Sequence, residues 1–306
     1  MIRILTNDGI EKSAAKKLMD MGYEVDENHF EMEELKEAVK QIDVLTVRSA
    51  TKVTKEVIDA AMKTGNLKLI IRGGVGIDNI DSDYAHKNGI AVTNTPNASS
   101  ASVAELVIGH MFSMARHIGI SNVTMRKGEW NKKHYQGIEL AGKTIGLIGS
   151  GRIAQETAKK ANALGMKVIY TNRTGAKDCF SEYNYYELHD LLKKSDFISL
   201  HVPFAKGDKP LIGTEEFALL KEGMFIINTA RGGVIDEKAL LEAIKSGKVA
   251  GAALDVFSEE PLINEDLRDC LKISMTPHIG GSTKEAQERI GDEVVAIINK
   301  FFNSIR

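Results

Sequence analysis

The sequence predicts an α/β protein built from two doubly wound parallel sheets. Three observations carry that expectation. Strand-length apolar runs alternate with helix-length amphipathic stretches along nearly the whole chain, as in a parallel sheet covered by helices on both faces. The alternation stops at the polar stretch Pro96-Asn97-Ala98-Ser99-Ser100 and restarts at Thr144, so there are two series. The length, 306 residues, is long for one core and comfortable for two.

In chain order, the first series places strands at 2–5, 44–47, 67–71 and 90–92, with helices near 12–21, 32–39 and 54–62. A long helix is expected at 102–118, where Ser102 and Glu105 have the spacing of a capping box. The second series places strands at 144–148, 167–170, 197–200, 224–228, 251–255 and 271–275. Beyond Thr276-Pro277-His278-Ile279-Gly280-Gly281 one helix remains, near 284–302. A lone terminal helix needs a partner face, so it is expected to pack back on the first series. Residues 1–97 and 283–306 then form a discontinuous domain, with 98–282 inserted in it.

Composition narrows the classes of function. Apolar residues make up 43% and charged residues 27%, ordinary for a globular protein. A net charge of −2 gives no field to recruit nucleic acid or a membrane, so neither partner is expected. Any attraction for an anionic substrate must be local. Two cysteines, Cys179 and Cys270, argue against a disulfide framework or a cysteine zinc site, and no metal is expected. They suit a reducing cytoplasm. The opening residues, Met1-Ile2-Arg3-Ile4-Leu5, lack the apolar stretch of a signal peptide, and no run approaches a membrane span.

The second series opens with a strand, then Gly149-Ser150-Gly151-Arg152-Ile153-Ala154, then a helix. Gly149 permits a tight turn, Gly151 lets backbone approach a pyrophosphate, and Ala154 allows close helix–strand packing. The amides of Arg152 and Ile153 would face phosphate at the helix N-terminus. This is the Rossmann pattern for NAD or NADP. The following strand should end in an acid that binds the adenosine ribose of NAD; Asn172 stands there instead, followed by Arg173 and Thr174. Arg173 and Thr174 could bind the 2′-phosphate of NADP, or Asn172 could serve the ribose of NAD. The sequence leaves both open.

Three further stretches follow strands, where open α/β sheets gather ligands: Asn228-Thr229-Ala230-Arg231, then Asp255-Val256-Phe257-Ser258-Glu259-Glu260, then Thr276-Pro277-His278. Oxidising a 2-hydroxy acid moves a hydride from C2 to nicotinamide and a proton from the hydroxyl to a base. A histidine suits the proton, a neighbouring carboxylate orients its ring, and a guanidinium grips the substrate carboxylate with a fork. His278, Arg231 and either Glu259 or Glu260 fit those roles.

These motifs resemble the D-2-hydroxyacid dehydrogenase family, most closely its phosphoglycerate dehydrogenases. The likeness runs nearly end to end, through Val47-Arg48-Ser49-Ala50-Thr51, Gly73-Gly74-Val75-Gly76-Ile77-Asp78, Asn94-Thr95-Pro96-Asn97 and His278-Ile279-Gly280-Gly281-Ser282-Thr283. It implies a Rossmann nucleotide-binding domain inserted in a discontinuous flavodoxin-like substrate domain. The acid it implies is Glu260, 29 positions beyond Arg231. Asp255 would lie near the nicotinamide, Thr229, Ala230, Gly280 and Gly281 would border the cofactor, and Arg48, Ser49, Gly74 and Val75 match substrate-binding positions.

The implied reaction is oxidation of D-3-phosphoglycerate, the first step of serine synthesis. Reduction of hydroxypyruvate or glyoxylate with NADPH is the alternative, and a nucleotide-sensing adaptor like the C-terminal-binding corepressors is a third reading. Lys132 and Lys133, after Trp130, are either a further substrate cation reached across a dimer or a solvated pair. A homodimer is implied through the helix at 102–118. Too few residues follow His278 for the serine-sensing domain of longer relatives, so little inhibition by L-serine is expected. Two departures stand out: Asn172 replaces the family's aspartate, and the 203–210 segment lacks the usual threonines.

Overall fold

The computed structural model describes residues 1–205 and 207–303. Lys206, within the atypical 203–210 segment, and 304–306, at the end of the terminal segment, lie outside the described residues. The chain divides into two units. One joins residues 1–99 to the segment beginning at Gly281, and the other is Ser100–Gly280.

The first unit runs β1 (Arg3–Thr6), α1 (Lys12–Asp20), β2 (Glu24–Asp26), α2 (Met32–Ala38), β3 (Val44–Val47), α3 (Lys55–Met62), β4 (Leu69–Arg72), α4 (Ser82–Lys87) and β5 (Ala91–Asn94). The second runs α5 (Ser100–Ala115), α6 (Ile118–Arg126), β6 (Thr144–Ile148), α7 (Arg152–Ala163), β7 (Lys167–Thr171), β8 (Asn184–Tyr185), α8 (Leu188–Lys194), β9 (Phe197–Leu200), α9 (Thr214–Leu219), β10 (Met224–Asn228), α10 (Glu237–Ser246), β11 (Val249–Leu254), α11 (Glu265–Arg268) and β12 (Ile273–Met275). Then α12 (Lys284–Asn303) returns to the first unit.

Both sheets are wholly parallel. The first is ordered β2-β1-β3-β4-β5, the flavodoxin-like 2-1-3-4-5 winding. The period of two along each strand feeds two cores. In β1, Ile4 packs with Ala14, Leu18, Val294 and Ile298, whereas Leu5 packs with Leu35, Leu45 and Val57 on the other face. The first cluster is where α12 lies against α1, with Ile290, Val294 and Ile298 buried.

The second sheet is ordered β12-β11-β10-β9-β6-β7-β8. Counted from β6, this is the Rossmann winding with a seventh strand added. The order reverses between β6 and β9, which opens a crevice at their carboxyl ends. Ile145 and Leu147 of β6 pack with α5 and α7, while Ile148 joins the opposite core. Close packing has its own sequence cost. A Cβ on Gly146 would meet Ser195 Oγ at 2.2 Å and Leu191 within 3 Å, so β6 admits no side chain facing α8 there.

Four expectations are corrected. The first sheet has five strands, because Glu24-Val25-Asp26 carries too little apolar character to register as one. The second has seven strands rather than six, since β8 is only two residues long. The helix expected at 102–118 is α5, Ser100–Ala115; it stops short of His117, whose φ is +55°, and a further helix, α6, begins at Ile118. The expected capping box does not start the helix. The helix begins at Ser100, so Ser102 lies inside it, buried, and Glu105 is exposed on the second turn. Among the described residues no helix is long and apolar enough to cross a membrane.

Candidate active site

The crevice in the second unit is a cleft of about 1060 Å³, with Gly149, Gly151, Asn172, Arg173, His201 and Val234 among its walls. The two glycines do different work. Gly149 has φ +110° and donates its N–H to Thr171 O, and a Cβ there would meet His201 O at 2.3 Å. It is required by the fold itself. Gly151 precedes α7, and an added Cβ would meet nothing within 4 Å. The space above it is open to a ligand. The amides of Arg152 and Ile153 begin α7 beside that space, where the helix dipole favours an anion. Ala154 is fully buried against β6.

Asn172 and Arg173 follow β7 on the same cleft, and Asn172 Nδ2 donates to Thr174 Oγ1 at 2.9 Å. His201 also lines the cleft. Burial lowers its pKa from 6.5 to about 3, so it is neutral, and its Nε2 has no hydrogen-bond partner.

The remaining candidates sit at the ends of β10, β11 and β12. Asn228, at 2% exposure, pins the first turn: its Oδ1 accepts from Ala230 N–H at 3.0 Å and its Nδ2 donates to Arg231 O at 2.8 Å. Thr229 is buried with its hydroxyl unpartnered. Arg231 is half-buried and its Nη1 donates to Ala230 O at 2.6 Å. A Cβ on Gly232 would collide with Phe257 O at 1.8 Å, so the Arg231 turn packs directly on the loop carrying Glu260.

Glu260 accepts Phe257 N–H on Oε1 at 3.1 Å and His278 Nδ1–H on Oε2 at 2.8 Å. The two side chains are 38% and 39% exposed, open enough to meet a substrate. Glu259 is exposed and takes no part in the pair. Bonding through Nδ1 fixes the imidazole's orientation and leaves Nε2 as the ring's other polar atom.

Asp255, only 1% exposed, holds the histidine's turn. Its carboxylate accepts from Thr276 Oγ1 at 2.5 Å, Ile279 N–H at 2.8 Å and Gly280 N–H at 2.9 Å. These donors flank His278, whose φ is +52°. A non-glycine residue in that region costs ~1–3 kcal/mol and persists only where surroundings over-determine it. Three hydrogen bonds to one buried carboxylate do so here. Behind them, His110 of α5 bridges Ser274 Oγ at 3.0 Å and Thr276 Oγ1 at 3.1 Å, and burial lowers its pKa.

The second unit therefore brings together Arg231, Glu260, His278, Asp255, Thr229, Ala230 and Gly280 at adjacent strand ends, with the glycine cleft at the switch point. Gly281 falls in the first unit, where its carbonyl accepts from Gln287 Nε2. Arg48, Ser49, Gly74 and Val75 also belong to the first unit, after β3 and β4. Asp8 accepts Arg48 N–H at 2.6 Å, Asn79 Nδ2 donates to Arg48 O at 2.7 Å, and Gly74 O accepts Thr95 N–H at 3.0 Å. Lys132 and Lys133 lie in a short 3₁₀ turn, exposed, and hydrogen-bond to none of these residues.

Sequence reasoning missed Asn228 and His110. Asn228 had a signal, as the one polar residue closing an otherwise apolar strand. His110 had none, because its partner Thr276 is 166 positions away.

The residues fit a dinucleotide. The open space above Gly151, the cleft that Gly151 lines and the buried unpartnered Thr229 hydroxyl at the end of β10 suit such a ligand. Fold and site define a dinucleotide-dependent oxidoreductase. Residues 108–280 match the D-isomer specific 2-hydroxyacid dehydrogenase NAD-binding domain. The chain is 49% identical over 303 residues to the hydroxypyruvate reductase of Thermotoga maritima, covering 97% of both chains. It is 46% identical to the D-3-phosphoglycerate dehydrogenase of Methanocaldococcus jannaschii, spanning 98% of this chain but 57% of that one. An acyclic imino acid reductase solved with NADPH and D-Arg superposes with a TM-score of 0.89 at 30% identity, covering 99% of this chain and 98% of that one. The chain belongs to the D-isomer-specific 2-hydroxyacid dehydrogenase family.

Proposed function

We propose that the protein oxidises D-3-phosphoglycerate to 3-phosphohydroxypyruvate with NAD or NADP, with Arg231, Glu260 and His278 as its catalytic residues. The observation that carries the chemistry is the 2.8 Å bond between His278 Nδ1 and Glu260 Oε2.

The bound dinucleotide supplies the acceptor for the C2 hydride. Arg231 holds the substrate carboxylate and polarises the C2 oxygen. His278 takes the hydroxyl proton on Nε2 while Glu260 keeps the ring in orientation. In the reverse direction the same nitrogen returns that proton to the carbonyl oxygen. Thr229, Ala230, Asp255 and Gly280 border the cofactor, Gly149 and Gly151 with the amides of Arg152 and Ile153 take its pyrophosphate, and Asn172 and Arg173 its adenosine ribose. Gly281 is carried over from the family as a further border residue. Arg48, Ser49, Gly74 and Val75 bind the substrate. Arg48 would supply the further cation that a phosphorylated substrate needs.

The reading includes a reducing cytoplasm, which suits the unpaired thiols of Cys179 and Cys270. It also includes a homodimer, supported by α6, which buries none of its residues. The Thermotoga relative favours a second reading, hydroxypyruvate reduction, because it matches over nearly its whole length. The two differ in whether the site must hold a phosphate. Turnover of 3-phosphoglycerate and of hydroxypyruvate is measured with the purified chain. The proposal expects a larger kcat/KM for the phosphorylated pair, and a clear preference for hydroxypyruvate overturns it. Turnover of no 2-hydroxy or 2-keto acid would revive the adaptor reading.

A further inference from the structure

The turn after β7 is more than a place where an acid is missing. Gly175 N–H donates to Asn172 O at 3.0 Å and closes it, with Gly175 at φ +78°. Lys177 N–H donates at 2.8 Å to the hydroxyl of Tyr170, a ring only 1% exposed. The segment bearing Arg173, Thr174 and Lys177 is thus folded back and anchored before any ligand arrives. Asn172 Nδ2 donates to Thr174 Oγ1, which leaves the Thr174 O–H free to donate elsewhere. Lys209 lines the same cleft.

The cleft also holds three carboxylates, so its formal charge is balanced, and what matters is how each charge is engaged. Glu187 accepts the Tyr185 hydroxyl at 2.9 Å, Asp208 accepts Ala205 N–H at 3.0 Å, and Glu216 accepts Gly213 N–H at 2.9 Å. Each acid is occupied by a neutral donor. Among the described residues, no ion pair engages Arg173, Lys177 or Lys209. Three cations and one hydroxyl donor therefore line one cleft whose wall carries a preformed turn, and among the described residues none of the three cations is in an ion pair with an acid.

We propose that the Asn172–Lys177 turn is a 2′-phosphate subsite and that the enzyme prefers NADP(H) to NAD(H). Arg173 offers its fork to two phosphate oxygens, Thr174 donates its hydroxyl, and Lys177 and Lys209 add charge from the walls of the same cleft. Asn172 avoids the repulsion that an acid would impose on the phosphate, and its Oδ1 can accept the ribose 3′-hydroxyl. Because the turn is already ordered, little of this interaction is spent on folding it. The inference rests on this cleft being the adenosine end of the dinucleotide site.

Binding separates the two ideas without turnover. The full chain is titrated calorimetrically with 2′,5′-ADP and with 5′-AMP, and NADPH and NADH binding is followed by nicotinamide fluorescence. The 2′-phosphate should tighten binding at least about tenfold, the size of a charge-assisted hydrogen bond. Arg173→Gln should remove most of that ratio, Lys177→Gln part of it, and Asn172→Asp should bring NADH level with or ahead of NADPH. Equal or tighter binding of 5′-AMP and NADH overturns the subsite while leaving the dinucleotide reading intact. A ratio unmoved by Arg173→Gln also overturns it. Binding of none of the four ligands would remove the dinucleotide reading and the subsite with it.

Discussion

At the scale of single residues, the proposed mechanism gives His278 Nε2 the proton and Glu260 the ring's orientation. His278→Ala should lower turnover about 100-fold or more, the usual size of general acid–base catalysis. Cofactor affinity, measured by fluorescence titration, should change little, because the glycine cleft does not involve the ring. Near-wild-type turnover would remove His278 from the mechanism. His201 makes a different prediction, about pH. Burial holds its pKa at about 3 against an ordinary 6.5, so the unfolded chain takes up the proton first. Its contribution to stability is complete above pH 6.5 and drains away as the pH falls toward 3. His110 acts in the same direction. Urea unfolding of His201→Gln between pH 7 and 5 should therefore be less acid-sensitive than wild type, by up to ~1.4 kcal/mol per pH unit. An unchanged slope would mean that the ring is not buried neutral in solution.

At the scale of elements, the glycine turn between β6 and α7 separates folding from binding. Gly149→Ala forces a Cβ against His201 O at 2.3 Å and a φ of +110° on an L-residue. It should cost at least ~1–3 kcal/mol of stability. Gly151→Ala meets nothing, so its melting temperature should hold while dinucleotide binding falls about tenfold or more. The opposite pattern would contradict the roles given to the two glycines. This turn was legible in the sequence because its requirements are local: strand, φ, space and helix start lie within about ten residues. The long strands were legible for the same reason. Strands β2 and β8 were not, being too short or too polar to show a period. The separate helix after His117 was hidden because Ile118–Arg126 carries no buried apolar stripe. Arg231, Glu260 and His278 were legible as residue types after strands. Which of two adjacent glutamates faces His278 depends on the course of the 257–261 loop, and local pattern does not encode that. The Asp255–Thr276–His110 chain is a product of tertiary packing alone.

At the scale of the whole molecule, α6 poses the remaining structural problem. A nine-residue helix is marginal in water on its own and is normally held by burying an apolar face. None of its residues is buried, and Ile118, Val123 and Met125 are each about half exposed. Nearby in sequence Trp130 is 77% exposed, and Leu271, before β12, is 76% exposed. Some apolar exposure is normal, but several large side chains on one helix with no buried residue mark an interaction surface. A second copy of the chain supplies an equivalent apolar face, and closed two-fold pairing is the commonest way to cover one. The wild-type protein should therefore sediment as a dimer at micromolar concentration. Ile118→Glu combined with Val123→Glu should shift it toward monomer, because each buried glutamate would lack a partner. Both positions are solvent-exposed in the single chain, so the monomer should keep its fold by circular dichroism. A wild-type protein that sediments as a monomer, or a double variant that stays dimeric, would remove α6 as the interface.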